Sequence, residues 1–458
     1  MRAVSTNAEW HEGWNDRRET AETRWPPCRK WSVVPVWDAN SPLFFSFSED
    51  VMPHLVDVAI VGAGPYGLSL AAHMRAAGLS FRIFGKPMST WRNHMPRGMQ
   101  LKSEGFASNL SAPDRDSTLE AWCAAHGRPY SAQKVPVAVD VFVAYADWFA
   151  KTYVPDVEPL DVANIARAGN GYTLTLEDGT VVQARRVVMA VGIAWFRNLP
   201  DELASLAAGR VSHSFDHRHM DRFAGRDVTV LGAGASAIDT AIALQDAGAH
   251  VKIVARARTI PFHAAPDNAE PSLLQQLRNP DTGIGPGWRS FFCANTPLLF
   301  HRLPQTLRLE ITRRHLGPAP GWFTRDRAEG RIPCYLGQHL ERADMVDGRI
   351  ALDLRDANGR KRIMMTDHVV AATGYKADLA RLPFLDAALR DAIRQVEGTP
   401  ILSDNFESSV PNLYFLGLAA ANSFGPLLRF MYGAEFAAPR LSAHLHRRIA
   451  AAAGRKAA

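Results

Sequence analysis

The sequence has few cysteines and no long apolar run. Its four cysteines, Cys28, Cys123, Cys293 and Cys334, are widely separated among 458 residues and form no C-x-x-C pair. This spacing indicates neither a disulfide framework nor a metal site, so we expect four free thiols. No run of 18 apolar residues occurs, and residues 1–15 lack the apolar core of a signal peptide. The sequence therefore predicts a cytoplasmic protein without an integral membrane segment.

Blocks of like charge are also missing. The chain has 52 Lys and Arg against 46 Asp and Glu, a net charge of +6, but the basic residues are scattered. A scattered excess does not predict a nucleic-acid partner. It suits small anionic substrates and a phosphorylated cofactor instead. With 47% hydrophobic and 21% charged residues, the composition is that of a globular protein, and the length allows roughly two to four domains.

One glycine-rich turn lies in the context of a nucleotide-binding unit. Residues 55–61 (LVDVAIV) form a short apolar run that leads into residues 62–67 (GAGPYG). Apolar residues then recur at helical spacing over 68–77, Gly78 ends the helix, and residues 81–84 have the character of a second strand. A G-x-G-x-x-G turn between a strand and a helix predicts a site for the pyrophosphate of a dinucleotide.

The same unit occurs a second time. Residues 227–231 form the strand, residues 232–237 (GAGASA) form the turn, and residues 251–254 form the next strand. Gly62 and Gly78 are 16 residues apart, as are Gly232 and Gly248. Two copies predict two bound dinucleotides.

Each turn position has a physical role. Gly62 permits the tight turn, Gly64 lets a phosphate approach the backbone, and Gly67 lets helix and strand pack closely. The equivalent predicted cofactor-binding residues of the second copy are Gly232, Gly234, Ser236 and Ala237.

The later part of the chain predicts how the two units are connected. A hairpin pattern over 172–182 leads to an apolar strand at 187–192, and residues 350–365 lead likewise to 369–374. No third glycine turn follows, so the strand-like residues 412–418 are expected to return to the first unit. The predicted fold is α/β, with two Rossmann-like dinucleotide-binding domains, the NAD(P)H domain being inserted into the FAD domain.

Domain boundaries follow from this arrangement. They are residues 1–54 for an N-terminal extension of unknown role, 55–198 for the first segment of the FAD-binding domain, 199–373 for the NAD(P)H-binding domain, 374–445 for the returning segment of the FAD-binding domain, and 446–458 for a tail.

The end of the second strand of each unit bears on cofactor identity, because an acid there usually binds the adenosine ribose. In the second unit this position carries Arg256 and Arg258 and no acid. Guanidinium groups suit a 2′-phosphate, which predicts NADPH, with NADH still possible. FAD is assigned to the first unit, where Gly85 replaces the acid. Backbone groups near Gly85 and Lys86 are expected to bind the ribose there, or the adenosine end is bound less tightly.

With these motifs and residues 372–375 (ATGY), residues 55–441 resemble the two-dinucleotide flavoproteins, and within them the single-component flavin monooxygenases. The resemblance implies that NADPH reduces FAD and that a C4a-hydroperoxyflavin oxygenates a small substrate. It places Gly417 near the ribityl or pyrophosphate of FAD, and Thr373 and Gly374 where the domains rejoin. Implied partners are a small-molecule substrate and O2, in a possible homo-oligomer.

Residues 85–103 resemble a bacterial branch that includes an FAD-dependent urate hydroxylase and, more loosely, the N-hydroxylating enzymes. This likeness places Trp91 and Met95 near the flavin, with ordinary core packing as the alternative. Asn109 resembles the asparagine that flavin monooxygenases use near C4a, with a turn role as the alternative.

A second family fingerprint, F-x-G-x-x-x-H-x-x-x-W, is only half present. Gly209 and His213 match it, whereas Ala207 and His217 replace the two aromatic residues. This mismatch argues against the ketone-oxidising branch.

Three functions remain from the sequence. The leading one is monooxygenation of a small polar substrate, with urate or a related heteroaromatic anion as the specific hypothesis. The first alternative is N-hydroxylation of an amine of the lysine or ornithine type. The second is an NAD(P)H-dependent reductase or redox-sensing flavoprotein. A disulfide reductase is disfavoured because it needs a cysteine pair beside the flavin. Arg429 is expected to be a surface or packing residue, with an anionic substrate as its alternative partner.

Overall fold

The computed structural model describes residues 55–206, 209–266, 272–315, 317 and 319–457. The predicted extension, residues 1–54, lies outside the described residues. No helix in the described ranges is long and apolar enough to cross a membrane. Cys123 and Cys293 are buried free thiols and Cys334 is an exposed one.

The described residues form these strands: β1 (Ala59–Val61), β2 (Arg82–Phe84), β3 (Val157–Glu158), β4 (Val162–Ala168), β5 (Gly171–Leu176), β6 (Val181–Ala184), β7 (Val187–Met189), β8 (Val211–His213), β9 (Asp227–Leu231), β10 (His250–Ala255), β11 (Cys334–Leu336), β12 (Gln338–Val346), β13 (Arg349–Asp356), β14 (Lys361–Thr366), β15 (His368–Ala371), β16 (Gln395–Val396), β17 (Thr399–Pro400) and β18 (Leu413–Phe415).

The helices are α1 (Pro65–Ala76), α2 (Ser89–His94), α3 (Leu119–Ala125), α4 (Val139–Tyr153), α5 (Ala235–Asp246), α6 (Leu273–Arg278), α7 (Trp288–Asn295), α8 (Pro297–His301), α9 (Gln305–Arg314), α10 (Arg325–Ala328), α11 (Ala387–Ala392), α12 (Ala421–Phe424) and α13 (Ala434–Ala457).

The first sheet is parallel and has the strand order β18-β7-β1-β2-β3. Every residue of β1, β7 and β18 is buried. Strands covered on both faces need continuous apolar sequence, which is why residues 59–61 and 187–189 show no alternation.

The second sheet repeats this plan. Its strand order is β11-β10-β9-β15-β8, again parallel throughout, so β8 takes the place that β18 has in the first sheet. A three-stranded antiparallel sheet is inserted in each unit, β4 to β6 between β3 and β7 in the first and β12 to β14 between β11 and β15 in the second. The predicted pair of Rossmann-like domains is confirmed.

The insertion is confirmed by one strand pairing. Leu413 of β18 is in register with Val187 of β7, and Phe415 with Met189. The chain therefore leaves the first sheet after β7, builds the second domain, and returns as β18. Helix α13 then packs against α1. The exact domain boundaries stay a prediction.

One segment was not anticipated from the sequence. Between β10 and β11 the chain forms α6 to α10, and part of this connection packs on the first domain rather than the second. Ile284, Cys293 and Phe300 belong to the buried cluster built on the first sheet. A Cβ on Gly425 would lie 3.1 Å from the Phe300 ring. The helical connection is thus held against the returning segment of the first domain.

Candidate cofactor site

The first glycine turn is shaped for close backbone approach. Gly62 has φ +109°, and a Cβ there would lie 2.3 Å from the Ala190 carbonyl oxygen. A Cβ on Gly67 would lie 1.9 Å from the Gly62 carbonyl oxygen. At Gly64, by contrast, an added Cβ meets no described atom within 4 Å. Packing thus requires two of the glycines, and the third borders the open space at the start of α1 that a diphosphate would use.

The second turn repeats this geometry with one change. Gly232 has φ +134°, and a Cβ there would lie 2.4 Å from the Ala372 carbonyl oxygen. Ala237 occupies the third position and is fully buried. Its Cβ would be 3.5 Å from a Cβ on Gly232, so alanine is accommodated where the first turn needs glycine. Gly234 precedes α5, and Ser236 is half-buried in its first turn.

Gly85 stands where an acid was expected, and the backbone around it leaves little room for a side chain. Gly85 has φ +124°, and a Cβ there would be 3.2 Å from the Ala63 amide nitrogen. The acid nearest along this edge, Glu158, accepts two hydrogen bonds of 2.6 Å from Arg82 and is already paired.

Lys86 is also engaged by acids. Its ammonium lies 3.0 Å from Asp161 and 3.5 Å from Glu177, and the hydrogen bond to Asp161 is the main cause of its raised pKa. The side chain is exposed. Its role toward the cofactor stays a prediction.

Tyr66 ties the returning segment to the first turn. This tyrosine, inside the G-x-G-x-x-G motif, directs its hydroxyl at the Leu428 and Phe430 carbonyl oxygens, at 3.2 and 2.7 Å. Burial raises its pKa well above the usual range. A Cβ on Gly417 would touch its ring at 3.4 Å, and a Cβ on Gly433 would collide with its hydroxyl at 2.4 Å. This role could not be predicted from the sequence, because the glycine motif allows any residue at this position.

Trp91 and Met95 lie together at α2. The Trp91 ring is 5.7 Å from the Phe142 ring of α4 and is half-buried against the first core. Met95 ends the helix and is half-buried. Their placement beside the flavin stays a prediction.

Asn109 has both ends of its amide engaged by the backbone. Its Nδ2 donates to the Phe106 carbonyl at 2.9 Å, and its Oδ1 accepts from the Leu119 amide at 2.9 Å. These bonds give the residue a role in fixing the turn. Its predicted function near flavin C4a is not tested by them.

The two interdomain connections meet at the ATGY motif. The Thr373 hydroxyl donates to the Asn198 carbonyl, and the Asn198 amide donates to the Gly374 carbonyl at 3.0 Å. His213 of the half-present fingerprint donates from Nε2 to the same Gly374 carbonyl at 3.1 Å. Its ring also lies 5.2 Å from that of Tyr375. The predicted residues Thr373 and Gly374 thus lie where the two chain crossings are bonded to each other.

A buried ion pair joins the domains beside the second turn. The Lys102 ammonium contacts the carboxylate of Asp239, which lies on α5, and only 18% and 10% of the two side chains are exposed. Burial raises the pKa of Asp239, and the Lys102 charge opposes that rise. The ammonium also lies 5.6 Å from the Phe323 ring. Sequence reasoning missed this pair, because 137 positions separate its members.

Three further ionisable residues, Arg256, Arg258 and Glu435, are reached by solvent. Arg256 and Arg258 follow β10, are exposed, and make no ion pair with the described residues. Glu435 begins α13; solvent reaches it, but protein atoms surround much of it, and this desolvation raises its pKa to about 7. The sequence analysis did not single out Glu435.

Comparison with known proteins agrees with this geometry. Residues 59–279 match the pyridine nucleotide-disulphide oxidoreductase family. Over 206 residues the chain is 29% identical to an indole-3-pyruvate monooxygenase of Oryza sativa subsp. japonica, covering 43% of this chain and 47% of that protein. Over 129 residues it is 34% identical to a ferredoxin–NADP reductase of Frankia alni, covering 28% and 38%. The chain thus spans less than half the length of these relatives.

A solved structure extends the likeness over both domains. The ornithine N-hydroxylase of Kutzneria sp. 744, solved with reduced FAD, NADP⁺ and L-ornithine, superposes with a TM-score of 0.69 at 16% identity, covering 86% of this chain and 99% of that one. At this identity the likeness shows the fold alone. The match over residues 59–279 places the first domain and the second glycine turn in an oxidoreductase fold, as predicted.

Proposed function

We propose that this chain is an FAD- and NADPH-dependent monooxygenase of a small polar substrate. The observation that carries the proposal is the duplicated glycine turn: each copy ends a buried parallel strand, opens a helix, and leaves space where a diphosphate fits. FAD is assigned to the turn at residues 62–67 and NADPH to the turn at residues 232–237. The ornithine N-hydroxylase that shares this fold was solved with FAD and NADP⁺, and the reductase relative from Frankia alni is a ferredoxin–NADP reductase.

When bound, FAD would supply the redox chemistry, taking electrons from NADPH and passing them to O2. The protein's own residues have the positioning roles. The amides at the starts of α1 and α5 would hold the diphosphates, and the Tyr66 hydroxyl fixes the returning segment over the first turn. The Thr373, Asn198 and His213 contacts hold the second domain in place against the first.

The nicotinamide nucleotide is proposed to be NADPH because of the end of β10. Arg256 and Arg258 are exposed there and unpaired among the described residues. Two free guanidinium groups favour a 2′-phosphate over a bare ribose hydroxyl.

Two substrates are proposed for oxygenation. The first is urate or a related heteroaromatic anion, which the sequence of residues 85–103 favours. The second is an amine, as in the ornithine N-hydroxylase whose fold this chain shares. A reductase that needs a separate electron acceptor is the candidate from a different class. The 34% identity to a ferredoxin–NADP reductase, over 28% of this chain, favours it.

The proposal is tested on the purified FAD-loaded protein by measuring how much O2 is consumed and how much H2O2 is released for each NADPH oxidised. NADPH oxidation, O2 uptake and H2O2 release are measured with urate, L-ornithine, L-lysine or no addition. We expect one compound to accelerate NADPH oxidation, with O2 consumed in equal amount and little H2O2 released.

A protein that oxidises NADPH only when ferricyanide or ferredoxin is added, and consumes little O2 with every compound, would be a reductase and would overturn the proposal. Acceleration by urate or by an amine decides between the two substrates.

A further inference from the structure

The segment that follows β18 lies between the first glycine turn and helix α9. Tyr66 engages its Leu428 and Phe430 carbonyl oxygens. On the other side, the Thr312 hydroxyl of α9 donates to the Ala421 carbonyl at 3.4 Å. Arg429 is therefore part of a short strap between the proposed FAD site and the helical connection of the second domain.

The charge of Arg429 has no acidic partner. The side chain is half-buried, and burial lowers its pKa. Among the described residues, the acceptor for its five N–H donors is the Thr312 carbonyl, to which Nη1 donates at 3.1 Å. No carboxylate of the described residues pairs with it. A guanidinium removed from water without a counter-ion is costly, and the remaining donors are left available.

Two basic residues from other segments, His315 and Arg289, share the surroundings of Arg429. His315, just beyond the end of α9, has its pKa lowered by burial and then by the charges of Arg289 and Arg429. Arg289 lies on α7, is exposed, and has no ion-pair partner within the described ranges. Arg289 and Arg429, from two different segments, both lie close enough to His315 to lower its pKa.

The nearby acids are already paired elsewhere. Glu310 of α9 contacts Arg313 and Arg314, and Glu397 also contacts Arg313. Asp404 lies 3.1 Å from His301. The positive charge around Arg429 is therefore not neutralised by the chain, as far as the structure describes it.

We propose that Arg429, supported by Arg289 and His315, binds the anionic edge of the substrate. The ligand class is a small molecule with a planar, delocalised oxyanion, either an amino acid carboxylate or an ionised heteroaromatic ring such as urate. A guanidinium fork matches such an edge with two parallel N–H···O bonds, which an ammonium group cannot reproduce. This inference rests on the proposed function, since it names the substrate class for that site.

The competing role is structural. Thr312 is in the last turn of α9, so its carbonyl needs a donor, and Arg429 supplies one as a helix cap. A helix cap needs one donor, so lysine could replace Arg429 in that role. Binding of an anion by two parallel N–H···O bonds needs the guanidinium group, so lysine could not replace it there.

The first experiment measures binding at equilibrium, without turnover. Isothermal titration of the oxidised FAD-loaded protein uses urate, L-ornithine and putrescine, the last being ornithine without its carboxylate. We expect urate or ornithine to bind, and putrescine to bind at least about tenfold more weakly than ornithine if ornithine is the ligand. Absence of binding by both urate and ornithine would overturn the anion site, whatever the oxygen measurements give.

Three variants locate the site. Arg429→Gln is expected to weaken binding of the anionic probe about tenfold or more, Arg429→Lys to weaken it nearly as much, and the exposed Arg289→Gln about threefold, from the loss of one or two charge-assisted contacts. Arg314→Gln at the end of α9, which also removes an exposed charge, is the control and should bind as the wild type does. FAD content and Tm identify folded protein.

The proposal is overturned if both Arg289→Gln and Arg429→Lys bind the anionic probe as tightly as the wild type does. Arg429 would then be a helix cap. Failure of the proposed function is seen separately. A protein that binds the anion through Arg429 but couples no O2 uptake to NADPH oxidation would retain the anion site and lose the monooxygenase assignment.

Discussion

At the scale of single residues, polar side chains whose hydrogen bonds are all made within the protein differ from those that have donors left for a ligand. Asn109 was expected near the flavin, and its amide is fully used by the Phe106 carbonyl and the Leu119 amide. Arg256, in contrast, has no partner among the described residues and lies at the end of β10. An unpaired exposed guanidinium is available for a ligand, whereas an amide with both ends bonded has to exchange partners first.

The Arg256→Ala variant tests the nucleotide assignment. We expect its Kd for NADPH to rise about tenfold, because a charge-assisted bond to the 2′-phosphate is lost, while the Kd for NADH changes less than about twofold. Fluorescence titration of the FAD-loaded protein measures both constants. Arg302→Ala, which removes another exposed arginine, should leave both unchanged. If the Arg256→Ala variant bound NADPH as tightly as the wild type does, and NADH likewise, the assignment would be contradicted.

A buried polar cluster in the second domain predicts acid sensitivity. Ser212 Oγ lies 2.6 Å from His217 Nε2 and 2.7 Å from His368 Nε2. Burial lowers the pKa of each histidine to about 4. The unfolded chain therefore binds more protons than the folded chain between pH 6.5 and about 4, so stability is complete above pH 6.5 and decreases as the pH falls through this window.

At pH 5 the loss is on the order of 2 kcal/mol for each histidine. Thermal unfolding at pH 7 and pH 5 measures it, and we expect the decrease in Tm between these pH values to be smaller in His368→Asn than in the wild type. His339→Asn, at an exposed position, should keep the wild-type decrease. An equal decrease in all three proteins would show that the cluster does not set the acid limit.

At the scale of elements, the strand–turn–helix unit explains which glycines serve the fold and which serve the ligand. Gly62 and Gly67 are required by contacts within the protein, whereas Gly64 borders space that no described protein atom occupies. Gly62 and Gly67 are therefore needed for folding, whereas Gly64 is expected to be needed for cofactor binding.

The Gly64→Ala variant makes that separation measurable. We expect it to fold with a Tm close to that of the wild type without cofactor, yet to bind FAD at least about tenfold more weakly, because the new methyl lies where the diphosphate approaches. Equilibrium titration with FAD and a thermal scan give the two quantities. Gly454→Ala, in α13 with equally open surroundings, is the control. Unchanged FAD affinity in Gly64→Ala would refute the placement of the diphosphate.

At the scale of the whole molecule, two domains have to present their cofactors to each other, and polar contacts join them in addition to the apolar packing of Ile284, Cys293 and Phe300. The Lys102–Asp239 pair joins a loop of the first domain to α5 of the second, and most of both side chains is buried. Because no other ion pair among the described residues includes Lys102 or Asp239, removing one charge leaves the other buried without a counter-ion.

Lys102→Met is therefore expected to destabilise the protein by about 3 kcal/mol. This corresponds to a Tm decrease of about 5–10 °C. The double variant K102M/D239L should recover much of that loss, since no unpaired charge remains. The rate of flavin reduction by NADPH is expected to decrease in both proteins, because the link between the domains is lost. A reduction rate unchanged in both would show that the pair serves stability alone.

Much of the fold could be predicted because its signals are local. A glycine turn, the strand before it and the helix after it occupy about 25 consecutive residues, and their geometry depends on backbone sterics that sequence reveals directly. The order of the two units, the insertion and the return of β18 followed from the repetition of that unit. The structure confirms each of these predictions. Strand β10 is one residue longer at each end than the predicted strand at residues 251–254.

Sequence by itself thus determined which residues turn, which strands are buried, and that two nucleotides are expected. Tertiary structure alone decided which side chains face one another: Tyr66 beside the strap at Leu428, Lys102 beside Asp239, and Arg429 at the end of α9. These pairs are separated by between 117 and 362 positions. Local patterns carry no information about such contacts, because packing of distant elements selects them after the elements have formed.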